Sequence, residues 1–195
     1  MKGNCYIVKT EKEKMLDGEI YNANYDEFLI KERTKAKDLC FEYNKLKPSN
    51  ESERKRILKE ILGKTKENFL IEQPFICDYG YNIEIGENFY SNHNLIILDA
   101  NKVKFGNNVF IGPNCGFYTA GHPLDVKMRN QGLEYAKSIE IGNNVWFGGN
   151  VIVLPGVKIG NNCVIGAGSV VTKDIPDNVL AFGNPCKIYK NIENN

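Results

Sequence analysis

Between Ile139 and Ile175 the side chains repeat with a period of six, and no other feature of the chain narrows its fold as far. Large aliphatic or aromatic residues stand at Ile141, Phe147, Val153, Ile159, Ile165 and Val171, and a compact residue follows four places on, at Val145, Val151, Val157, Cys163 and Ser169. Glycine usually comes directly after the large residue, as at Gly142, Gly148, Gly160 and Gly166. An earlier stretch obeys the same rule, with Phe105, Ile111 and Phe117 large and Val109 and Cys115 compact; Ile85, Gly86 and Phe89 open the series less regularly. A period of six fits neither a helix nor plain strand alternation, and it is a signature of a parallel β-helix. Each hexapeptide is then a short strand plus a corner. Three of them make a triangular coil of about eighteen residues whose large side chains stack inside. The pairs Asn107 and Asn108, Asn143 and Asn144, and Asn161 and Asn162 fit the corners, because asparagine tolerates positive φ. A β-sandwich would show alternation and irregular turn spacing instead.

Ahead of this region the period is helical. From about Glu11 to Phe69, Leu29, Ala36, Cys40 and Tyr43 form one stripe among lysines and glutamates, which predicts a first long helix. Pro48, Ser49 and Asn50 break it, Asn50 with Glu53 resembles a helix-starting cap, and Ile57, Leu58, Ile61 and Leu62 give a second apolar face that Gly63 ends. The expected organisation is a small helical segment over residues 1–70 and a β-helix over 71–195, with a loop inserted at about 121–138 and a C-terminal tail.

Composition excludes several functions. The 195 residues carry 25 basic and 24 acidic side chains, a net charge of +1, so no global field recruits nucleic acid or an anionic membrane. No signal peptide or membrane-spanning run is present in the sequence, which makes a cytoplasmic location the expectation. Cys5, Cys40, Cys77, Cys115, Cys163 and Cys186 lack C-x-x-C spacing and read as reduced thiols, several of them in the core. Two histidines cannot supply the three-histidine zinc site of a γ-type carbonic anhydrase built on the same scaffold, and no metal is expected.

The chemistry concentrates where the period fails. Residues 121–138 interrupt the hexapeptides with Pro, Met, Arg, Asn, Gln and Tyr, and His122 stands at their start. Loops on a rigid scaffold are common sites of function, and a neutral imidazole is the natural base near pH 7. His93, in FYSNHN (89–94), is the other histidine and reads as structural or pocket-lining.

The repeats, together with GHPLD (121–125), IGNNVWFGGNVIVLPGVKIG (141–160), VIGAGSVVTKDIP (164–176) and GNPCK (183–187), closely resemble the maltose and galactoside O-acetyltransferases, and EIYNANYDEFLIKER (19–33) resembles that family's helical N-terminal part. The resemblance implies a mainly β fold, a left-handed parallel β-helix with a small helical N-terminal domain. It also implies an acetyl-CoA donor, a sugar acceptor such as maltose, glucose or a galactoside, and a homotrimer with active sites between subunits. By the same resemblance His122 is the general base and Asn92 supports the oxyanion. Asp78 and Tyr90 match acceptor-pocket positions, Asp99 is a further carboxylate candidate nearby, and Asn22 is the counterpart of an N-terminal acceptor contact. Gly149, Ala167 and Thr172 match the pantetheine path, Lys173, Lys187 and Lys190 face the coenzyme's phosphates, and Trp146 covers the site from a neighbour. Asp78 stands where the galactoside enzyme has serine, and lysines replace arginines at 187 and 190, so acceptor specificity and the bidentate phosphate fork differ. Other acceptors, xenobiotics or serine among them, and a non-catalytic β-helix that serves only in assembly are the alternative readings.

Overall fold

The computed structural model describes residues 8–193. Cys5, read above as a reduced thiol, lies outside the described residues. The chain winds as a left-handed β-solenoid of about six turns with helices at its N-terminal end.

Three parallel faces form the coil. The first stacks Phe69–Ile71, Phe89–Ser91, Val109–Ile111, Val145–Phe147, Val164–Ile165 and Val179–Phe182, and Lys187–Asn191 closes its far edge antiparallel. The second stacks Phe75–Cys77, Leu95–Leu98, Gly116–Tyr118, Ile152–Val153 and Val170–Val171. The third stacks Ile83–Glu84, Val103–Phe105, Ile139–Ile141 and Lys158–Ile159. Residues of the hexapeptide's large and compact positions point inward, so Ile111, Phe117, Val145, Phe147, Val153 and Ile165 are buried. Phe89, Phe105, Phe117 and Phe147 meet edge to face in succession, at centroid distances of 5.2, 4.9 and 5.3 Å. That geometry places a positive ring edge on a negative face at each step.

The corner asparagines divide the labour that the sequence assigned to both members of each pair. Asn108, Asn144 and Asn162 take positive φ, at 55°, 57° and 55°. Asn107, Asn143 and Asn161 do not; the Oδ1 of Asn143 accepts the N–H of Asn107 and the Oδ1 of Asn161 accepts that of Asn143, each from the coil before. The positive-φ members form a side-chain ladder of their own, Asn88 to Asn108 to Asn144 to Asn162 to Asn178, each bond 2.9 Å long.

The N-terminal region contains the expected long helix and, ahead of it, a short helix and a strand that the sequence did not announce. α1 (Glu11–Asp17) starts on a Thr10–Glu13 capping box and stops at Gly18 with φ 75°, so residues 21–22 are released to form a strand. α2 (Glu27–Lys45) buries the predicted stripe of Leu29, Ala36, Cys40 and Tyr43, and α3 (Glu51–Ile61) buries Arg54, Ile57, Leu58 and Ile61. Asn50 is the N-cap residue of α3 as expected, but its side chain makes no capping bond, a correction to the sequence expectation. Gly63 is needed for approach: a Cβ there would lie 2.1 Å from the carbonyl oxygen of Tyr81. Cys40, Tyr43, Ile57, Leu58 and Ile61 share one core with the solenoid, so α2 and α3 plug its open N-terminal end.

Candidate active site

The interruption at 121–138 is built as an antiparallel sheet. Ala120–Gly121 pairs with Leu133–Ala136, whose other edge pairs with Tyr21–Asn22 from the N-terminal region. α4 (Val126–Asn130) spans the gap and is capped by Asp125, whose carboxylate accepts the N–H of Met128 at 2.8 Å. A side chain at position 121 would run into the Tyr135 ring, 2.5 Å away, which explains the glycine before the histidine.

His122 leaves this sheet with its side chain 49% exposed. Its Nδ1 lies 3.0 Å from the carbonyl oxygen of Leu133. A carbonyl can only accept, so in the neutral imidazole Nδ1 carries the proton and Nε2 keeps its lone pair free to accept one. Nε2 is 3.9 Å from Oε1 of Glu134, and Oε2 of Glu134 accepts the hydroxyl of Tyr21 at 2.8 Å. Tyr21 is almost fully buried; burial and the Glu134 charge both push its phenol pKa up, so it stays a donor. Asn22 sits across from Leu133 in the same sheet, and its Oδ1 accepts the N–H of Tyr25 at 3.0 Å.

Asp78 lies at the corner between the second and third faces, half-buried. Burial raises its carboxyl pKa, Lys37 and Arg33 pull it down, and Glu134 raises it again, so the Asp78 carboxyl shares a field with the His122 loop. Asp99 differs from its expected acceptor contact. It has no exposed surface, and its Oδ1 accepts the N–H groups of Asp78 and Tyr79 at 3.0 and 2.8 Å. Thr172 and Lys173 are exposed at the same corner of a later coil.

The remaining candidates occupy a different edge. Tyr90 and Trp146 point outward from the first face, Trp146 with 55% of its surface exposed. Asn92, Gly149 and Ala167 lie at the corner between the first and second faces. The Oδ1 of Asn92 accepts the N–H of His93 at 2.7 Å, which leaves its amide N–H groups to donate outward. The His93 ring is tied down through Nδ1 to the carbonyl of Gln73 at 2.6 Å. Lys187 and Lys190 are exposed on the terminal antiparallel strand. Within one chain the second face therefore stands between Asn92, Trp146 and Gly149 on one side and His122, Asp78 and Lys173 on the other.

Sequence reading missed Glu134, Tyr21, Arg33 and Lys37. Among the described residues no group of three or more His, Cys, Asp or Glu side chains could hold a metal ion. No described helix is long and apolar enough to cross a membrane. Cys115 and Cys163 are buried and donate to the carbonyls of Gly148 and Pro176 at 3.2 and 3.1 Å, and burial raises both thiols, so neither offers a nucleophile.

Residues 14–66 match the maltose acetyltransferase hexapeptide capping motif, and residues 138–173 match the bacterial transferase hexapeptide of six repeats. Over 180 residues, 92% of each chain, the sequence is 57% identical to the Saccharomyces cerevisiae (strain S288c) protein named Putative acetyltransferase YJL218W. In structure it is similar to a maltose O-acetyltransferase from Clostridium difficile 630, with a TM-score of 0.92 and 51% identity over 95% of this chain and 99% of that one. A galactoside acetyltransferase in complex with coenzyme A matches with a TM-score of 0.92 and 42% identity, covering 95% of this chain and 92% of the other.

Proposed function

Because the chain belongs to the hexapeptide-repeat acetyltransferases that carry the maltose acetyltransferase capping motif, we propose that it transfers acetyl from acetyl-CoA to a hydroxyl of a sugar, with His122 as general base. The observation that carries the reading is the 3.0 Å contact from His122 Nδ1 to the Leu133 carbonyl, which fixes the tautomer that base catalysis requires.

The acceptor hydroxyl gives its proton to Nε2 as its oxygen attacks the thioester carbonyl. A C–O bond forms and the carbonyl oxygen becomes an oxyanion, stabilised by the amide N–H groups of Asn92. The tetrahedral centre then expels the coenzyme thiolate by breaking the C–S bond, and the imidazolium returns the proton to sulfur. Glu134 beside Nε2 stabilises the imidazolium between these steps, and Tyr21 holds Glu134 in place. Asp78 and Asn22 offer the acceptors and donors that sugar hydroxyls use.

The separation of His122 from Asn92 and Trp146 by a whole face supports a site assembled between two copies, and repetition of that heterologous contact closes into a homotrimer. Acetyl-CoA then lies in the groove between copies, against Gly149, Ala167 and Thr172, with Trp146 over it and Lys173, Lys187 and Lys190 near its phosphates. Gly168, next to Ala167, has nothing within 4 Å of where a Cβ would stand, so the corner can be approached closely by a ligand.

The test is thiol release from acetyl-CoA against a panel of mono- and disaccharides, for the native protein and His122→Ala together. Acceptor-dependent release that the substitution abolishes supports the reading. Coenzyme binding without modification of any sugar refutes the acceptor class, and absence of coenzyme binding refutes the transferase.

A further inference from the structure

Asp99 is the one carboxyl among the described residues with no solvent exposure, and the proposed reaction leaves it without a task. Its Oδ1 takes the N–H groups of both Asp78 and Tyr79, while its Oδ2 is buried with no hydrogen-bond partner. Burying a carboxyl with one oxygen unsatisfied is unfavourable, so such a group persists where its other contacts matter. Those contacts all fall on one turn, residues 78–80.

The turn is clamped from several sides. Above it stands the Asp99 carboxyl. The Tyr79 hydroxyl accepts Nη1 of Arg33, from α2, at 2.8 Å. Gly80 takes φ 75°, and a Cβ there would lie 2.4 Å from the carbonyl oxygen of Ile61 at the end of α3. Asn82 in turn ties itself to the backbone carbonyl of Asp99 at 2.8 Å. Only Asp78 looks outward from this arrangement, half-buried, with Lys37, Arg33 and Glu134 acting on its charge.

We propose that Asp99 is a positioning residue for acceptor binding: by accepting two successive backbone N–H groups it fixes the turn that presents Asp78 toward the Glu134 and His122 side of the site. The inference rests on the reading of Asp78 as an acceptor contact. Asp99 touches no substrate, and its effect on catalysis passes through Asp78 alone.

A double-mutant cycle tests it, using the full chain and whichever sugar the native protein acetylates best. Asp99→Ala removes both acceptors and raises the acceptor KM about tenfold, while the acetyl-CoA KM and the kcat at saturating acceptor stay within about twofold. Asp99→Asn, whose amide oxygen can accept the same two N–H groups, returns the acceptor KM to near the native value. In an Asp78→Ala background, Asp99→Ala has no further effect on acceptor KM. An equal effect in both backgrounds, no effect in either, or failure of the asparagine to rescue overturns the inference. Hydrogen exchange at the amides of Asp78 and Tyr79 adds a readout independent of turnover, slow in the native protein and Asp99→Asn and fast in Asp99→Ala. If the native protein acetylates no sugar, the acceptor reading fails separately; unchanged exchange in Asp99→Ala refutes the hold of Asp99 on the turn whatever the acceptor proves to be.

Discussion

The same buried carboxyl makes the stability of this protein depend on pH in an unusual direction. Burial, with some repulsion from Asp78, pushes the Asp99 carboxyl up to about 7 from an ordinary value of 3.8. Between those two values the native state keeps a proton that the unfolded chain has released, so the contribution of Asp99 to stability falls as the pH rises and is gone above about pH 7. At about 1.4 kcal/mol per unit, roughly three units cost the native protein on the order of 4 kcal/mol by the time Asp99 is ionised. Glu11, Glu13, Glu53 and Glu67 are held below their ordinary values and act in the opposite sense, stabilising above them and losing that contribution in acid. They are common to the native protein and Asp99→Asn, as is Asp78, whose carboxyl burial also raises, so the difference between the two reports Asp99 together with its repulsion of Asp78. Urea denaturation at about pH 5 and about pH 8 should show the asparagine variant gaining on the native protein by about 3 kcal/mol over that interval. The neighbouring Cys77, Tyr79 and Tyr81 are all shifted upward and stay neutral across it. A stability difference that is the same at both pH values refutes the reasoning, because it means that Asp99 titrates like an exposed acid.

Three further outcomes are expected. His122→Ala should lower the rate of acetyl transfer by about 10²- to 10⁴-fold while calorimetry finds acetyl-CoA binding unchanged; a loss of under about tenfold removes His122 from the role of base. Tyr21→Phe deletes only the hydroxyl that holds Glu134, and should reduce kcat by about tenfold with little change in melting temperature; native kcat in that variant would mean Glu134 needs no holding. Asn144→Ala breaks two rungs of the corner ladder and forces alanine to a φ of 57°, a loss of about 2–3 kcal/mol, whereas Asn144→Gly keeps the backbone and loses about 1 kcal/mol less. Equal losses in chemical denaturation would show that the left-handed backbone is not what asparagine supplies there.

The solenoid was readable because each coil repeats one environment: Phe147 meets the same constraints as Ile111 one coil before it and Ile165 one coil after, so the sequence states the rule several times. The opening of the series was harder to read for a reason visible at the corners. Asn88 and Asn108 are 20 residues apart, against 18 for Asn144 and Asn162, because the early coils carry extra residues between the second and third faces. Those residues include Asp78, Tyr79 and Asp99. Irregularity in the period thus coincides with the proposed site. His122 was legible as the start of an interruption, and the wider resemblance supplied the role proposed for it. Glu134 and Tyr21 were not legible, since their contact joins positions 113 residues apart through an antiparallel pairing that no local period encodes. The asparagine pairs show the limit of residue preference: both members can adopt positive φ, and only the hydrogen-bond geometry of the corner decides which one does.

The two unlike ends of the coil carry a consequence for length. A stack of identical turns has no internal reason to stop, since every exposed edge of backbone is a template for the next strand. Here α2 and α3 cover one end, and at the other the reversed strand Lys187–Asn191 pairs with the last strand of the first face and breaks its parallel register. What lies between the two ends is modular. Inserting one more eighteen-residue turn between Ile141 and Ile159 would leave both ends untouched and move the Lys187–Lys190 strand about 4.8 Å further from His122. The separation between the His122 loop and the terminal strand is in this sense counted in whole turns, and a chain of this kind can change it only by adding or deleting a complete one.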